Sequence, residues 1–212
     1  MSLRTVLCFG DSNTHGTPPM ATLEDDARFD LATRWPGRLQ ALLGDQWRVI
    51  EEGLPGRTTV HSDPVEGAHL NGLTVLPALL ASHRPLDLVV IMLGTNDLKT
   101  RFSVTALDIA LSAERLLATV AASGSGPTAR APEVLLVAPP PIVETGCLAE
   151  IFIGGAPKSH QVARHMREGA ARNGARFLDA GAHIAVSPID GIHFDAEAHA
   201  RLADAVAAAI KT

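Results

Sequence analysis

The chain has 212 residues, enough for one domain, and its 46% apolar share is that of a globular protein. A formal net charge of -5 is spread along a mixed sequence. With no basic block to track a phosphate backbone, and no window near the roughly 18 uninterrupted apolar residues of a membrane span, neither nucleic acid nor membrane is an expected partner.

The N-terminus runs from Met1-Ser2-Leu3-Arg4 straight into a short apolar run, without the core and cleavage site of a leader peptide. The expected location is therefore the cytoplasm. Five runs read as buried parallel strands: residues 5–9, 48–51, 86–93, 133–138 and 176–178. Helical patterns alternate with them at 35–43, 73–82, 104–122, 158–173 and 195–210, the last with Asp195 as N-cap. This alternation predicts a three-layer α/β domain around a five-stranded parallel sheet, spanning residues 1–212 as one catalytic domain. Two stretches break the pattern, 17–33 and 139–157, and both follow strand ends, where such folds carry binding loops. Ile151-Phe152-Ile153 in the second reads equally as core anchoring or as the wall of an acyl or aryl pocket. The cysteines, Cys8 and Cys147, form no Cys-x-x-Cys pair and read as unpaired thiols.

Gly10-Asp11-Ser12 follows the first strand. A serine there can open a helix, whose free N–H groups favour developing negative charge; alone, the same residues read as an ordinary N-cap. Asp190-Gly191-Ile192-His193 precedes the last helix. A carboxylate three residues before an imidazole can hold one ring nitrogen and aim the other at a serine. As isolated patterns both are weak. Gly56 follows the second strand and Gly94-Thr95-Asn96-Asp97 the third, offering backbone N–H and amide donors for an oxyanion. All four segments follow strands of one predicted sheet, so they share an edge and can converge.

These four blocks, in this order, resemble the GDSL, or SGNH, hydrolase family over nearly the whole chain. The resemblance implies a flavodoxin-like sheet, with Ser12 as nucleophile, His193 as base and Asp190 as its orienter. The Ser12 N–H, the Gly56 N–H and the Asn96 side chain would form the oxyanion hole. The text around Cys8-Phe9-Gly10, Glu51-Glu52-Gly53-Leu54 and Met92-Leu93-Gly94 is more closely similar to the arylesterase/acyltransferase branch. That branch implies a homo-oligomer acting on short-chain acyl or aryl esters, with acyl transfer to water, alcohols or peroxide, and no cofactor. Expected substrate contacts are Thr95, Phe152 and Ile192. Asn13 stands where the family's name has leucine, and His15 where the branch tends to have an aromatic residue.

Eight further histidines form no His-Glu-x-x-His pattern, so no metal site is expected. Asp97 and Arg57 read as structural groups of their loops, and Trp35 and Trp47 as core. Two rival functions remain: a carbohydrate O-acetyl esterase on the same site, and a non-catalytic flavodoxin-like module binding a phosphate ligand at the Gly10–Gly16 turn. The second leaves Asp190 and His193 without a role.

Overall fold

The computed structural model describes residues 3–211. Five strands, β1 (Arg4–Gly10), β2 (Trp47–Gly53), β3 (Leu88–Met92), β4 (Glu133–Ala138) and β5 (Arg176–Asp179), form one parallel sheet in the order β2-β1-β3-β4-β5. Among the described residues the six α-helices are α1 (Ser12–His15), α2 (Trp35–Leu43), α3 (Gly72–His83), α4 (Ala106–Ala122), α5 (Gly155–Arg172) and α6 (Ala196–Lys211). The fold is the three-layer, flavodoxin-like α/β arrangement expected from the alternating pattern.

Each strand feeds both layers because successive side chains point to opposite faces. Leu7, Phe9, Val89, Ile91 and Leu136 pack with α3, α4 and α5 in one core. Val6, Cys8, Val90, Met92 and Val137 pack with α2 and α6 in the other. Trp35 and Trp47 belong to that second core. Both cysteines are unpaired, Cys8 buried within β1.

Most boundaries shift by one to three residues for local reasons. The third strand is shorter than its apolar run. Leu86 N–H instead bonds the Ser125 carbonyl (2.8 Å) and Asp87 N–H the Thr5 carbonyl (2.9 Å). Helix α4 starts two residues later than expected because Thr105 and Asp108 form a reciprocal capping box. Helix α5 starts three residues earlier, after the left-handed Gly154, and the Glu144 carboxylate accepts its Ala156 N–H at 2.9 Å. Asp195 caps α6 by accepting the Ala198 N–H at 2.8 Å.

Register places the site. Gly10 of β1 pairs with Gly53 of β2 and Met92 of β3, so the first three strands end level. Their following loops leave from one edge, beside those that follow β4 and β5. Among the described residues no helix is long and apolar enough to cross a membrane.

Candidate active site

Helix α1 is a single turn opened by the Asp11 N-cap, whose carboxylate accepts the Asn13 N–H at 3.0 Å, and closed by the left-handed Gly16. Ser12 is its first residue. The helix lies against the end of β1 so closely that a Cβ on Gly10 would sit 2.0 Å from Thr14 Oγ1. Only glycine fits there, and its absence of a side chain sets how near Ser12 comes to the sheet edge.

Ser12 Oγ lies 3.0 Å from His193 Nε2, and His193 Nδ1 lies 2.6 Å from Asp190 Oδ2. The other Asp190 oxygen accepts the N–H groups of Ile192 (3.0 Å) and His193 (2.9 Å). Met20 N–H bonds Oδ2 at 2.7 Å. Burial pushes the Asp190 carboxyl up. Hydrogen bonds and the charge of His193, with the backbone donors, outweigh that and bring it down to about 2. The carboxylate is thus ionised well below neutral pH. It requires the proton on Nδ1 and leaves Nε2 as the acceptor facing Ser12.

Ser12, Gly56 and Asn96 line one cavity. Among the described residues, neither the Ser12 N–H nor the Gly56 N–H has an acceptor within the protein. Gly56 has φ +81°, and a Cβ there would lie 2.8 Å from Glu66 Oε2 and 2.9 Å from Leu70 Cδ1. Asn96 Nδ2 donates to the Arg57 carbonyl at 3.2 Å and lies 3.5 Å from Asp11 Oδ2, while Asn96 also lines the cavity. Asp97 binds the second-strand loop to the third by accepting the Thr59 N–H (3.0 Å) and hydroxyl. Arg57 anchors the same loop, donating to the carbonyls of Gly10 (2.8 Å) and Glu52 with its guanidinium over the Phe9 ring. Both residues thus have the structural surroundings expected of them.

The serine opens into a cavity of about 300 Å³. Leu148, Ile151, Phe152 and Ile192 supply apolar lining; Asp25, Asp26, Glu66 and Lys99 supply charge. Phe152 is both core and wall, since it is 2% exposed and still borders the cavity, whereas Ile153 points to solvent at 57%. Of the expected substrate contacts, Phe152 and Ile192 line the cavity. Thr95 does not: it is buried beneath the Asn96 turn, with its carbonyl accepting the Leu98 N–H at 3.1 Å. His15 lines the cavity, its Nδ1 3.2 Å from Thr17 Oγ1. Sequence reasoning missed Lys99 and Glu66, paired at 2.6 Å, and Asp25 and Asp26 of the 17–33 segment. No local motif marks them; the acidic composition of that segment was the only signal. A wider depression of about 720 Å³ lies at the opposite edge of the sheet, among Arg4, Trp47, Glu133 and Arg176, and holds none of the four blocks. Among the described residues, no three metal-ligating side chains cluster.

The parallel sheet thus carries, at its carboxyl edge, an Asp-His-Ser hydrogen-bond chain beside a cavity that Gly56 and Asn96 also line. The chain belongs to the GDSL-like lipase/acylhydrolase family, whose model matches residues 8–201. It is similar to the native M. smegmatis aryl esterase, at 42% identity and TM-score 0.93 over 98% of each chain. It is equally similar to Est24, a carbohydrate acetylesterase from Sinorhizobium meliloti, at 43% identity and TM-score 0.93 over 98% of each chain. Among curated proteins there is no match.

Proposed function

We propose that the chain is a serine ester hydrolase that acts through an acyl-enzyme on short-chain acyl or aryl esters, with residues 1–212 working as one catalytic domain. The observation that carries this reading is the unbroken chain from Ser12 through His193 to Asp190, at 3.0 and 2.6 Å, opening on a cavity with apolar lining.

Ser12 Oγ attacks the ester carbonyl carbon while His193 Nε2 takes its proton. The carbonyl oxygen becomes the oxyanion, received by the N–H groups of Ser12 and Gly56 and by Asn96 Nδ2. Asp190 holds the imidazolium. Collapse breaks the bond to the alkoxy or aryloxy group, which leaves with the proton from His193. Water then attacks the acyl-enzyme, giving its proton to His193, and the second collapse releases the acid and restores Ser12. An alcohol or peroxide in place of water gives acyl transfer by the same route. These steps take no metal and no cofactor.

A second reading, a carbohydrate O-acetyl esterase, is favoured by the charged lining from Asp25, Asp26, Glu66 and Lys99, which offers hydrogen bonds a simple aryl ester does not use. Relative kcat/KM for aryl acetates and acetylated sugars separates the two. The test of the shared chemistry is intact mass after a serine-directed phosphonate, on wild type and Ser12→Ala. One adduct on wild type, none on the variant, and a loss of at least about 10³-fold in kcat support the reading. A Ser12→Ala enzyme with wild-type turnover overturns it.

A further inference from the structure

Asn13 is the residue after the serine, at the place where the family's name has leucine. Its side chain is almost fully buried, at 1% exposed. Oδ1 accepts the Phe194 N–H at 3.2 Å, and Nδ2 donates to the Ile192 carbonyl at 3.1 Å. The amide's orientation follows from its partners: an N–H needs an oxygen and a carbonyl needs a donor, so only one flip satisfies both. Those partners are the residues on either side of His193. The bracket therefore grips the backbone before and after the imidazole, from a residue covalently next to Ser12.

Asp190 acts differently. Its bonds to Ile192, His193 and the imidazole lie within its own loop and fix the ring's tautomer and tilt. Bonds from Met20 N–H to Asp190 and from Val143 N–H to the Gly191 carbonyl hold the loop to neighbouring segments, and neither comes from α1. The Asn13 bonds span 179 and 181 residues of sequence and tie that loop to the nucleophile's own helix.

We propose that Asn13 is a positioning residue that sets the Ser12–His193 separation by bracketing His193 through its two neighbours' backbone groups. The proposal rests on Ser12 and His193 being nucleophile and base. Leucine is close in size, so packing survives the change, but it offers neither acceptor nor donor. A misplacement of about 1 Å at a reacting pair costs about 100-fold in rate.

The experiment is steady-state kinetics on an aryl acetate for wild type, Asn13→Leu, Asn13→Asp and Ser12→Ala. Rates are expressed per site titrated with the phosphonate. The low-field proton resonance of the His193 Nδ1–H is recorded in parallel. Asn13→Leu is expected to lose about 10–100-fold in kcat per titrated site, with KM within two-fold and the Asp190-bridged resonance retained. Asn13→Asp keeps the acceptor for Phe194 N–H but, ionised, has no donor for the Ile192 carbonyl, and is expected to fall between. A merely structural role lowers the number of titratable sites and leaves turnover per site unchanged; that result in Asn13→Leu overturns the proposal. If the leucine variant does not fold, wild-type turnover per site in Asn13→Asp overturns it. Turnover surviving in Ser12→Ala would instead sink the underlying esterase reading, so the two failures are distinct.

Discussion

On the proposed mechanism, Asn96 is shared between structure and chemistry. Its amide nitrogen donates to the Arg57 carbonyl at 3.2 Å, which fixes the side chain, and to Asp11 Oδ2 at 3.5 Å, the longer contact being the one a ligand oxygen would replace. Asn96→Ala removes a donor that matters most when the carbonyl oxygen becomes negative. The expected loss is about 10²–10³-fold in kcat, with little change in KM, read by steady-state kinetics on an aryl acetate. An unchanged kcat would remove Asn96 from the oxyanion hole. At this scale the sequence was informative where chemistry demands a residue type in a fixed motif: Ser12, Asn96, Asp190 and His193 come together as their spacing suggested. It was silent where one side chain's role depends on a partner far along the chain. Asn13 read only as a departure from the family pattern, because its partners lie 179 and 181 residues away. Thr95, expected to contact substrate, lies outside the cavity lining for a related reason. Its neighbours in sequence face the cavity, but the tight turn at Asn96–Leu98 buries it.

Two buried ionisable groups tie elements together and titrate in opposite senses. His199 of α6 accepts the Trp35 N–H at the start of α2 through Nδ1 (3.2 Å), between the rings of Phe29 and Phe194. Burial lowers it to about 4. Asp11, capping α1, is pushed up by burial to about 6 against the pull of the Asn13 N–H. For His199 the folded state refuses a proton that the unfolded chain accepts near pH 6.5. Its contribution is full above that pH and is lost as pH falls through 4. For Asp11 the folded state keeps a proton that the unfolded chain gives up near pH 4. Its contribution is full below that pH and is lost as pH rises through 6. Each is worth about 3 kcal/mol over nearly the same window, with opposite slopes. The pair should therefore cancel in wild type between pH 4 and 6.5. Asp11→Asn should lose stability on acidification across that window, and His199→Gln should gain it, by up to about 3 kcal/mol each. Urea unfolding at pH 4.5, 5.5 and 6.5 measures both, and parallel curves for the three proteins would refute the pairing. The elements themselves were legible, because strands buried on both faces announce themselves as apolar runs. Their ends were not. Thr105 and Glu144 set two helix starts through side-chain bonds, the second from outside the helix.

For the whole molecule, the sheet is the frame and its interior sets stability. Leu136, fully buried in β4 against α4 and α5, fills the larger core. Leu136→Ala should cost about 2–5 kcal/mol in chemical denaturation while leaving kcat per titrated site unchanged. A fall in per-site turnover would mean that the core and the site are not separable. The layer order was readable from strand–helix alternation alone. The cavity was not, since its lining is drawn from the 17–33 segment, the β2 loop, the β3 loop, the 139–157 loop and the His193 loop, and no single segment carries its shape.

Asp190 takes its bonds from Met20 near one end of the chain and from His193 near the other, 170 residues separating Met20 from the carboxylate. All five strands are complete by Asp179. Every residue of the sheet therefore precedes, in sequence, the loop that brings His193 beside Ser12. On the proposed reading, the strands and the base come from separate stretches of sequence, and the serine gains its imidazole only when the two are packed together.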